Sequence, residues 1–184
     1  YECTVNDHAF IDGAKKISAE PGREELVLIN DVPVNRNQME CLFYRNGYLY
    51  DEVINAYIHL LRTQHNMINR PGGTCYLENT SMTELMKGDE VPRLAEMVLS
   101  YLQHDMLFLP INIKDTHWYL AVVNARRRKI HVLDSFRTLF GLKDLKNTLD
   151  SLSCSFFRNC QASARTKPDM GGFYLALFSL FSIY

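Results

Sequence analysis

The stretch that decides the fold runs from His117 to Ser135 and reads HWYLAVVNARRRKIHVLDS. Its two apolar, β-branched ends are typical of strands, and the polar residues between them are typical of a hairpin loop. Antiparallel pairing about a loop centred near residues 125–127 places Asp134 opposite residues 117–119. We therefore expect His117 and Asp134 to lie within hydrogen-bonding distance at the open end of this hairpin, away from its loop.

A histidine beside an aspartate is the arrangement in which a carboxylate fixes the tautomer of an imidazole that acts as a general base. The alternative interpretation is a surface histidine beside Trp118, with Asp134 doing no more than starting a turn. The sequence pattern gives the other histidines no comparable partner, so they are interpreted as structural or surface residues: His8, His59, His65, His104 and His131.

Patterns outside the hairpin predict an α+β domain with a central sheet flanked by helices. A third strand is predicted at Met106–Ile113, and Asp51 is expected to cap a helix. The apolar face of that helix comprises Val53, Ile54, Tyr57, Ile58 and Leu61. The other predicted elements are strands at Leu26–Asn30 and Ser155–Phe157, a short helix through Leu42 capped by Asn35 or Asn37, a helix restarting at Thr80 or Ser81, and helices at Val91–Leu102, Leu142–Leu152 and Phe173–Ile183.

Composition narrows the function classes. The 184 residues fit one domain, and 20 basic against 21 acidic residues give a net charge of -1. This balance offers no general attraction to nucleic acid or to an anionic membrane, and no apolar run reaches the length of a bilayer. The five cysteines are odd in number, are irregularly spaced and form no CxxC pair, which argues against a metal cluster or a disulfide framework. We expect no metal, no cofactor, and a nuclear or cytoplasmic location.

The beginning of the chain differs from the rest. Residues 1–25 are polar and weakly patterned, which predicts a loose leader ahead of a domain at residues 26–184. The first residue is Tyr1 rather than Met, from which we expect the domain to be part of a larger chain.

Three motifs, in order, resemble the ubiquitin-like-protein protease family, the SUMO-specific, adenain-like cysteine peptidases. Tyr48–Asn55, YLYDEVIN, is similar to the family's WLxDxxIN segment, and the hairpin is similar to its HW…(I/V)xDS signature. Pro168–Tyr174, PDMGGFY, stands where the family has Asp-Cys-Gly and an aromatic pair. The resemblance runs from about Leu26 to the C-terminus. It implies a papain/adenain-like cysteine protease fold with a central, mostly antiparallel sheet, and a hydrolase that cleaves after a C-terminal Gly-Gly.

The resemblance also assigns catalytic roles to positions of this chain, and the position of the nucleophile holds no cysteine. In the family a cysteine supplies the thiolate, and residues at the positions of His117 and Asp134 activate it and orient the base. Here the cysteine position is Met170 if Asp169 is the motif aspartate, or Gly171 if the Gly-aromatic-aromatic part is aligned. Neither side chain can attack a carbonyl.

Two further positions depart from the family pattern. The oxyanion glutamine falls at Ala164 or Arg165, and Gln161 can serve only if this loop is longer than usual. Tyr48 takes the place of the family's lid tryptophan, and Trp118 is the single tryptophan of the chain. The resemblance implies that Tyr48 and Trp118 contact the extended tail of a modifier.

These departures predict a pseudoprotease that binds a SUMO-like or other ubiquitin-like modifier. One alternative is an active de-SUMOylating or deubiquitinating cysteine protease, either with Cys160 as the nucleophile or with a native cysteine replaced in this sequence. Another is an interaction domain that has lost the modifier site and binds a different protein.

Overall fold

The computed structural model describes residues 2–16, 21–44, 47–64, 69–70, 73–82, 100–101, 103–124, 127, 129–135 and 143–151. The chain divides into two compact units, residues 1–61 and 62–184. The predicted strand at Ser155–Phe157 and the predicted helix at Phe173–Ile183 lie outside the described residues. The predicted helix at Val91–Leu102 is described only at residues 100–101, which are helical.

The first unit contains a β-hairpin and helices. Its elements are α1 (Val5–Lys16), β1 (Glu25–Ile29), β2 (Val32–Asn35), α2 (Arg36–Glu40) and α3 (Asp51–Arg62), whose last residue belongs to the second unit. Strand β1 confirms the prediction at Leu26–Asn30 to within one residue. The turn uses Asn30 at φ 53°, a left-handed conformation that asparagine tolerates. Strand β2 was not predicted because Pro33 resembled a strand breaker, whereas a two-stranded sheet leaves room for a residue without an N–H.

The starts of α2 and α3 are defined by their hydrogen bonds. Asn35 caps α2: its side chain accepts from the N–H of Gln38 at 3.0 Å, and the Gln38 side chain accepts from the N–H of Asn35 at 2.8 Å. The prediction of Asp51 as a cap was wrong by one residue. The carbonyl of Tyr50 accepts the first helical bond, from Ile54, so Asp51 is the first helical residue. Its carboxylate there still favours the positive end of the helix.

The buried face of α3 differs from the predicted one. Val53, Ala56 and Ile58 are buried, whereas Tyr57 is 60% exposed. Ala56 was missed because a small side chain adds little to an apolar pattern, and Tyr57 was wrongly included because helical spacing alone placed it on the apolar face. The buried residues of this unit's core are Val34, Cys41, Val53 and Ala56, with Val27, Ile29, Val32 and Met39 packed against them.

The polar leader contains a helix that the sequence did not predict. Helix α1 spans Val5–Lys16, and Thr4 begins it by exchanging hydrogen bonds with Asp7. Its apolar residues do not recur at helical spacing, and Val5 and Phe10 are 85% and 79% exposed. The predicted boundary between leader and domain near residue 25 stays a prediction.

The second unit is built on a five-stranded sheet. In spatial order its strands are β3 (Asn69–Arg70), β4 (Gly73–Leu77), β5 (Met106–Ile113), β6 (His117–Asn124) and β7 (Lys129–Leu133). Strands β4 and β5 are parallel and the other neighbours are antiparallel. The three predicted strands are confirmed as β5, β6 and β7. Residues 143–151 form helix α4, in agreement with the predicted helix at Leu142–Leu152.

One face of this sheet forms the principal core. Alternate residues of β5 and β6 point into it, among them Ile111 and Ala121, which are fully buried. Leu145 and Leu149 of α4 cover the same core. Beyond Ala121 and Tyr119, the next residue on this face of β6 is His117. The apolar face of the sheet therefore ends at the predicted functional histidine.

A buried carboxylate lies at the end of β4. Glu78 is 3% exposed, and the Tyr101 hydroxyl donates to its Oε2 while the N–H of Asn79 donates to its Oε1 at 2.8 Å. Arg62 forms an ion pair with Glu78 at 3.7 Å and donates from Nε to the carbonyl of Leu77 at 2.9 Å. A buried charge needs partners of this kind, and these contacts give both carboxylate oxygens of Glu78 a partner.

The turn before His117 has an unusual backbone. Lys114 and Asp115 have φ of 54° and 52°, the left-handed region that side chains other than glycine rarely adopt. The turn is closed by Thr116, whose N–H and hydroxyl donate to the carbonyl of Ile113 at 3.1 and 2.8 Å. An ion pair of 2.7 Å joins Lys114 to Asp144 of α4. These contacts hold the conformation that starts β6 at His117.

The Tyr101–Glu78 contact predicts a dependence of stability on alkaline pH. Burial, and then the charge of Glu78, raise the pKa of the Tyr101 hydroxyl. The folded state thus holds this proton more tightly than the unfolded state does, so stability is complete below the unfolded pKa of about 10 and falls above it. The free energy of unfolding can fall by up to about 1.4 kcal/mol per pH unit in this range, and we expect Tyr101→Phe to make this decrease smaller.

Urea unfolding of the full chain at pH 7, 10 and 11 measures this effect. At pH 7, Tyr101→Phe should cost about 1–3 kcal/mol, because Glu78 loses a donor. Tyr44→Phe removes an exposed hydroxyl that donates to Glu40, and it should keep the wild-type slope. A wild-type slope in Tyr101→Phe would contradict the prediction.

The left-handed turn predicts an unequal response to two substitutions of Lys114. Both Lys114→Gly and Lys114→Ala remove the exposed ion pair with Asp144, a loss of less than about 1 kcal/mol. Only glycine also relieves the positive φ, so Lys114→Gly should be more stable than Lys114→Ala by about 1 kcal/mol in urea unfolding. Equal stability of the two variants would show that this backbone conformation carries no cost.

Candidate active site

The register of β6 and β7 brings the predicted dyad together. The last paired residues are Leu120 and Leu133, so the next position places Asp134 opposite Tyr119, inside the predicted range. Asp134 follows Val132 by two residues and so shares its face of the sheet, as His117 shares the face of Tyr119. Both side chains thus extend the core face at the same end of the hairpin.

The two side chains form a hydrogen bond, as predicted. His117 Nε2 lies 2.7 Å from Asp134 Oδ1, and the side chains are 18% and 17% exposed. A carboxylate can only accept, so Nε2 carries the proton and donates it. The neutral imidazole then has its lone pair on Nδ1, which is the form of a general base. The structure confirms the contact, while the catalytic roles of His117 and Asp134 stay predictions.

Sequence reasoning missed one residue of this site. The ring of Tyr119 meets the imidazole of His117 edge to face, with centroids 4.5 Å apart and an interplanar angle of 86°. Tyr119 is 4% exposed, and burial, followed by the charge of Asp134, raises the pKa of its hydroxyl. The signal was available, because the two-residue period of a strand places Tyr119 beside His117 on one face.

The two aromatic residues expected at a modifier tail occupy different units. Trp118 is half-buried, pairs with Asn112 of β5, and lies on the sheet face opposite to that of His117. Tyr48 is half-buried in the first unit, three residues before α3 begins. Their predicted contact with a modifier tail stays a prediction.

The remaining predicted positions lie outside the described residues. These are Met170 and Gly171, the two candidates for the nucleophile position, the possible oxyanion residue Gln161, and the alternative nucleophile Cys160. The described part of the site supplies a base with its orienting carboxylate, which can take up and return a proton. Covalent hydrolysis also requires a nucleophile beside that base.

The described part of the chain holds no candidate for two other kinds of site. No three side chains of His, Cys, Asp or Glu converge there as a metal site would require. None of the described helices combines the length and the apolar character needed to cross a bilayer.

Comparison with known proteins places these features in a family. The sequence model described as "Ulp1 protease family, C-terminal catalytic domain" matches residues 47–175. Two curated relatives come from Arabidopsis thaliana. Putative ubiquitin-like-specific protease 1B is 31% identical over 121 residues, which is 61% of this chain and 35% of the relative. Ubiquitin-like-specific protease ESD4 is 30% identical over 115 residues, which is 58% of this chain and 23% of the relative. The match thus spans about a third of one relative and a quarter of the other.

Solved structures share the fold at low sequence identity. The C-terminal Ulp1 protease domain in complex with Smt3, the yeast ortholog of SUMO, has a TM-score of 0.54 and 14% identity, covering 91% of this chain and 69% of that one. SUMO protease Ulp1 with its catalytic cysteine oxidized to a sulfonic acid gives 0.62 and 13%, covering 100% and 89%. The Ulp1-like SUMO protease catalytic domain of Chaetomium thermophilum gives 0.58 and 20%, covering 83% and 63%. The mostly antiparallel sheet flanked by helices is therefore the fold of a Ulp1 catalytic domain, and this chain belongs to the Ulp1 protease family.

Proposed function

We propose that this chain is a non-catalytic member of the family, which binds a ubiquitin-like modifier without cleaving it. The observation that carries this proposal is the sequence at the nucleophile position. The family match extends to residue 175 and so covers both Met170 and Gly171, and residues 161–184 contain no cysteine. Loss of the nucleophile from a coupled triad costs on the order of a millionfold in rate in the analogous serine enzymes.

The proposed partner follows from the relatives. Both curated relatives are named as ubiquitin-like-specific proteases, and one similar structure is a complex with the yeast ortholog of SUMO. In this chain the tail of such a modifier would pass Tyr48 and Trp118. A nuclear or cytoplasmic location belongs to the same proposal, and it is supported by the odd number and irregular spacing of the five cysteines, which do not resemble a disulfide framework.

One observation favours a second candidate, an active protease. The His117–Asp134 hydrogen bond of 2.7 Å keeps the base and its orienting acid in working geometry. In that case Cys160 would have to reach His117, because a thiol becomes nucleophilic at neutral pH through such a neighbour. Most free cysteines are inert packing residues, so we rank this candidate second.

The proposal predicts no cleavage. The full chain, incubated with vinyl sulfones and fluorogenic substrates made from a panel of ubiquitin-like modifiers, should give no covalent adduct and no turnover above a His117→Ala control. A thioether at Met170 or the hydrogen of Gly171 offers His117 no acidic proton to abstract. Adduct formation is followed by mass spectrometry, which also locates the modified residue.

Matched variants make this result interpretable. Cys160→Ala tests the alternative nucleophile, and Met170→Cys and Gly171→Cys restore a thiol at each candidate position. Labelling of the unmodified chain that disappears in Cys160→Ala would overturn the proposal in favour of the second candidate. Labelling of a restored variant alone supports the proposal and identifies which of the two positions is the nucleophile slot.

The proposal also predicts binding that depends on the aromatic pair. In calorimetric titrations with the same modifiers, Tyr48→Ala or Trp118→Ala should weaken binding by about 30-fold, the cost of truncating an aromatic hot spot. Tyr57→Ala removes a tyrosine that is 60% exposed and lies outside the family's tail motif, so it should bind as the wild type does. Absence of heat with every modifier, from folded protein, would favour an interaction domain for another protein.

A further inference from the structure

Tyr119 connects the principal core with the dyad. It lies between His117 and Ala121 on the inner face of β6, and it pairs with the fully buried Ile111 of β5. Its own exposure is 4%, and it belongs to the main apolar cluster of the second unit. Because such a core is closely packed, the position of this ring is set by the sheet and not by the dyad.

The orientation of the imidazole depends on more than its hydrogen bond to Asp134. The torsion that turns a histidine ring is broad and roughly two-fold, so a hydrogen bond at Nε2 does not by itself fix the rotation of the ring about its Cβ–Cγ bond. The ring of Tyr119, at 86° and 4.5 Å, stands against the imidazole and restricts that rotation. Perpendicular rings at this distance attract each other, so the contact also favours one orientation of the imidazole.

The electrostatics of Tyr119 suit this arrangement. Burial, and then the nearby charge of Asp134, raise the pKa of its hydroxyl, so the phenol stays neutral at neutral pH. The Tyr119 side chain beside the imidazole therefore adds no charge to the His117–Asp134 pair.

We propose that Tyr119 is a positioning residue of the dyad, whose ring holds the imidazole of His117 in the plane from which Nε2 donates to Asp134. The assignment depends on the geometry of the hairpin and needs no nucleophile. It can therefore fail or succeed independently of the proposal that the chain does not cleave its partner.

The test is nuclear magnetic resonance of the full chain labelled with ¹⁵N in its histidines. Long-range ¹H–¹⁵N spectra identify the tautomer of His117, and a low-field Nε2–H proton reports its hydrogen bond. Asp134→Ala identifies the signal by removing the acceptor. We expect Tyr119→Phe to keep both signatures, because the ring remains. In Tyr119→Leu the tautomers should mix, and exchange of the Nε2–H proton with water should become roughly two- to tenfold faster, the range that an aromatic contact is worth.

Controls separate positioning from general damage to the core. Ile111→Val trims the paired core residue and should leave both signatures unchanged, and urea unfolding verifies that each variant is folded. If Tyr119→Leu does not fold, Tyr119→Met replaces it, since methionine fills irregular gaps. Wild-type signatures in the Leu or Met variant would overturn the proposal. Loss of the signatures in Tyr119→Phe would also overturn it by assigning the effect to the hydroxyl, and loss in Ile111→Val would do so by assigning it to packing.

Discussion

The register between β6 and β7 is the constraint on which the functional site depends. Side chains of a strand alternate between the two faces, so a slip of one residue would turn Asp134 away from His117. The hydrogen bond between them opposes such a slip, because a bond to a charged group is worth about 1.5–3 kcal/mol. The same slip would also turn Ile130 and Val132 away from the core. Both are partly buried there, so each would lose part of the roughly 1.5–3 kcal/mol that full burial is worth. Apolar packing and the hydrogen bond therefore favour the same register.

This dependence explains why the dyad was predictable from sequence. The runs at Met106–Ile113 and either side of the hairpin loop are apolar, β-branched and bounded by polar breaks, and the structure places the strands there to within a residue. Pairing about a short loop then follows from elementary hairpin geometry, which leaves little choice of partner for His117. Local pattern and register were sufficient, because both members of the dyad belong to one supersecondary unit.

Other features depended on information that a local pattern does not carry. The pairing of β4 with β5 is parallel and joins segments separated by residues 78–105, so no hairpin rule predicts it. Strand β2 was not predicted, because a proline such as Pro33 would break a central strand. A strand of a two-stranded sheet can contain it. The role of Tyr119 depends on the angle between two rings, which tertiary packing determines. The positions of Gln161, Met170 and Gly171 were inferred from family resemblance and lie outside the described residues.

Packing also bears on what an intact dyad means. His117 and Asp134 lie at the end of the core face. They form a hydrogen bond with each other, and the His117 ring contacts the Tyr119 ring, so their loss would disturb the hairpin as well as any chemistry. Replacement of a cysteine nucleophile removes the reactive thiol and leaves the His117–Asp134 pair in place. A chain that does not cleave its partner can therefore lack the cysteine and still keep the dyad as part of the hairpin. The dyad is thus weaker evidence for activity than a nucleophile beside it would be.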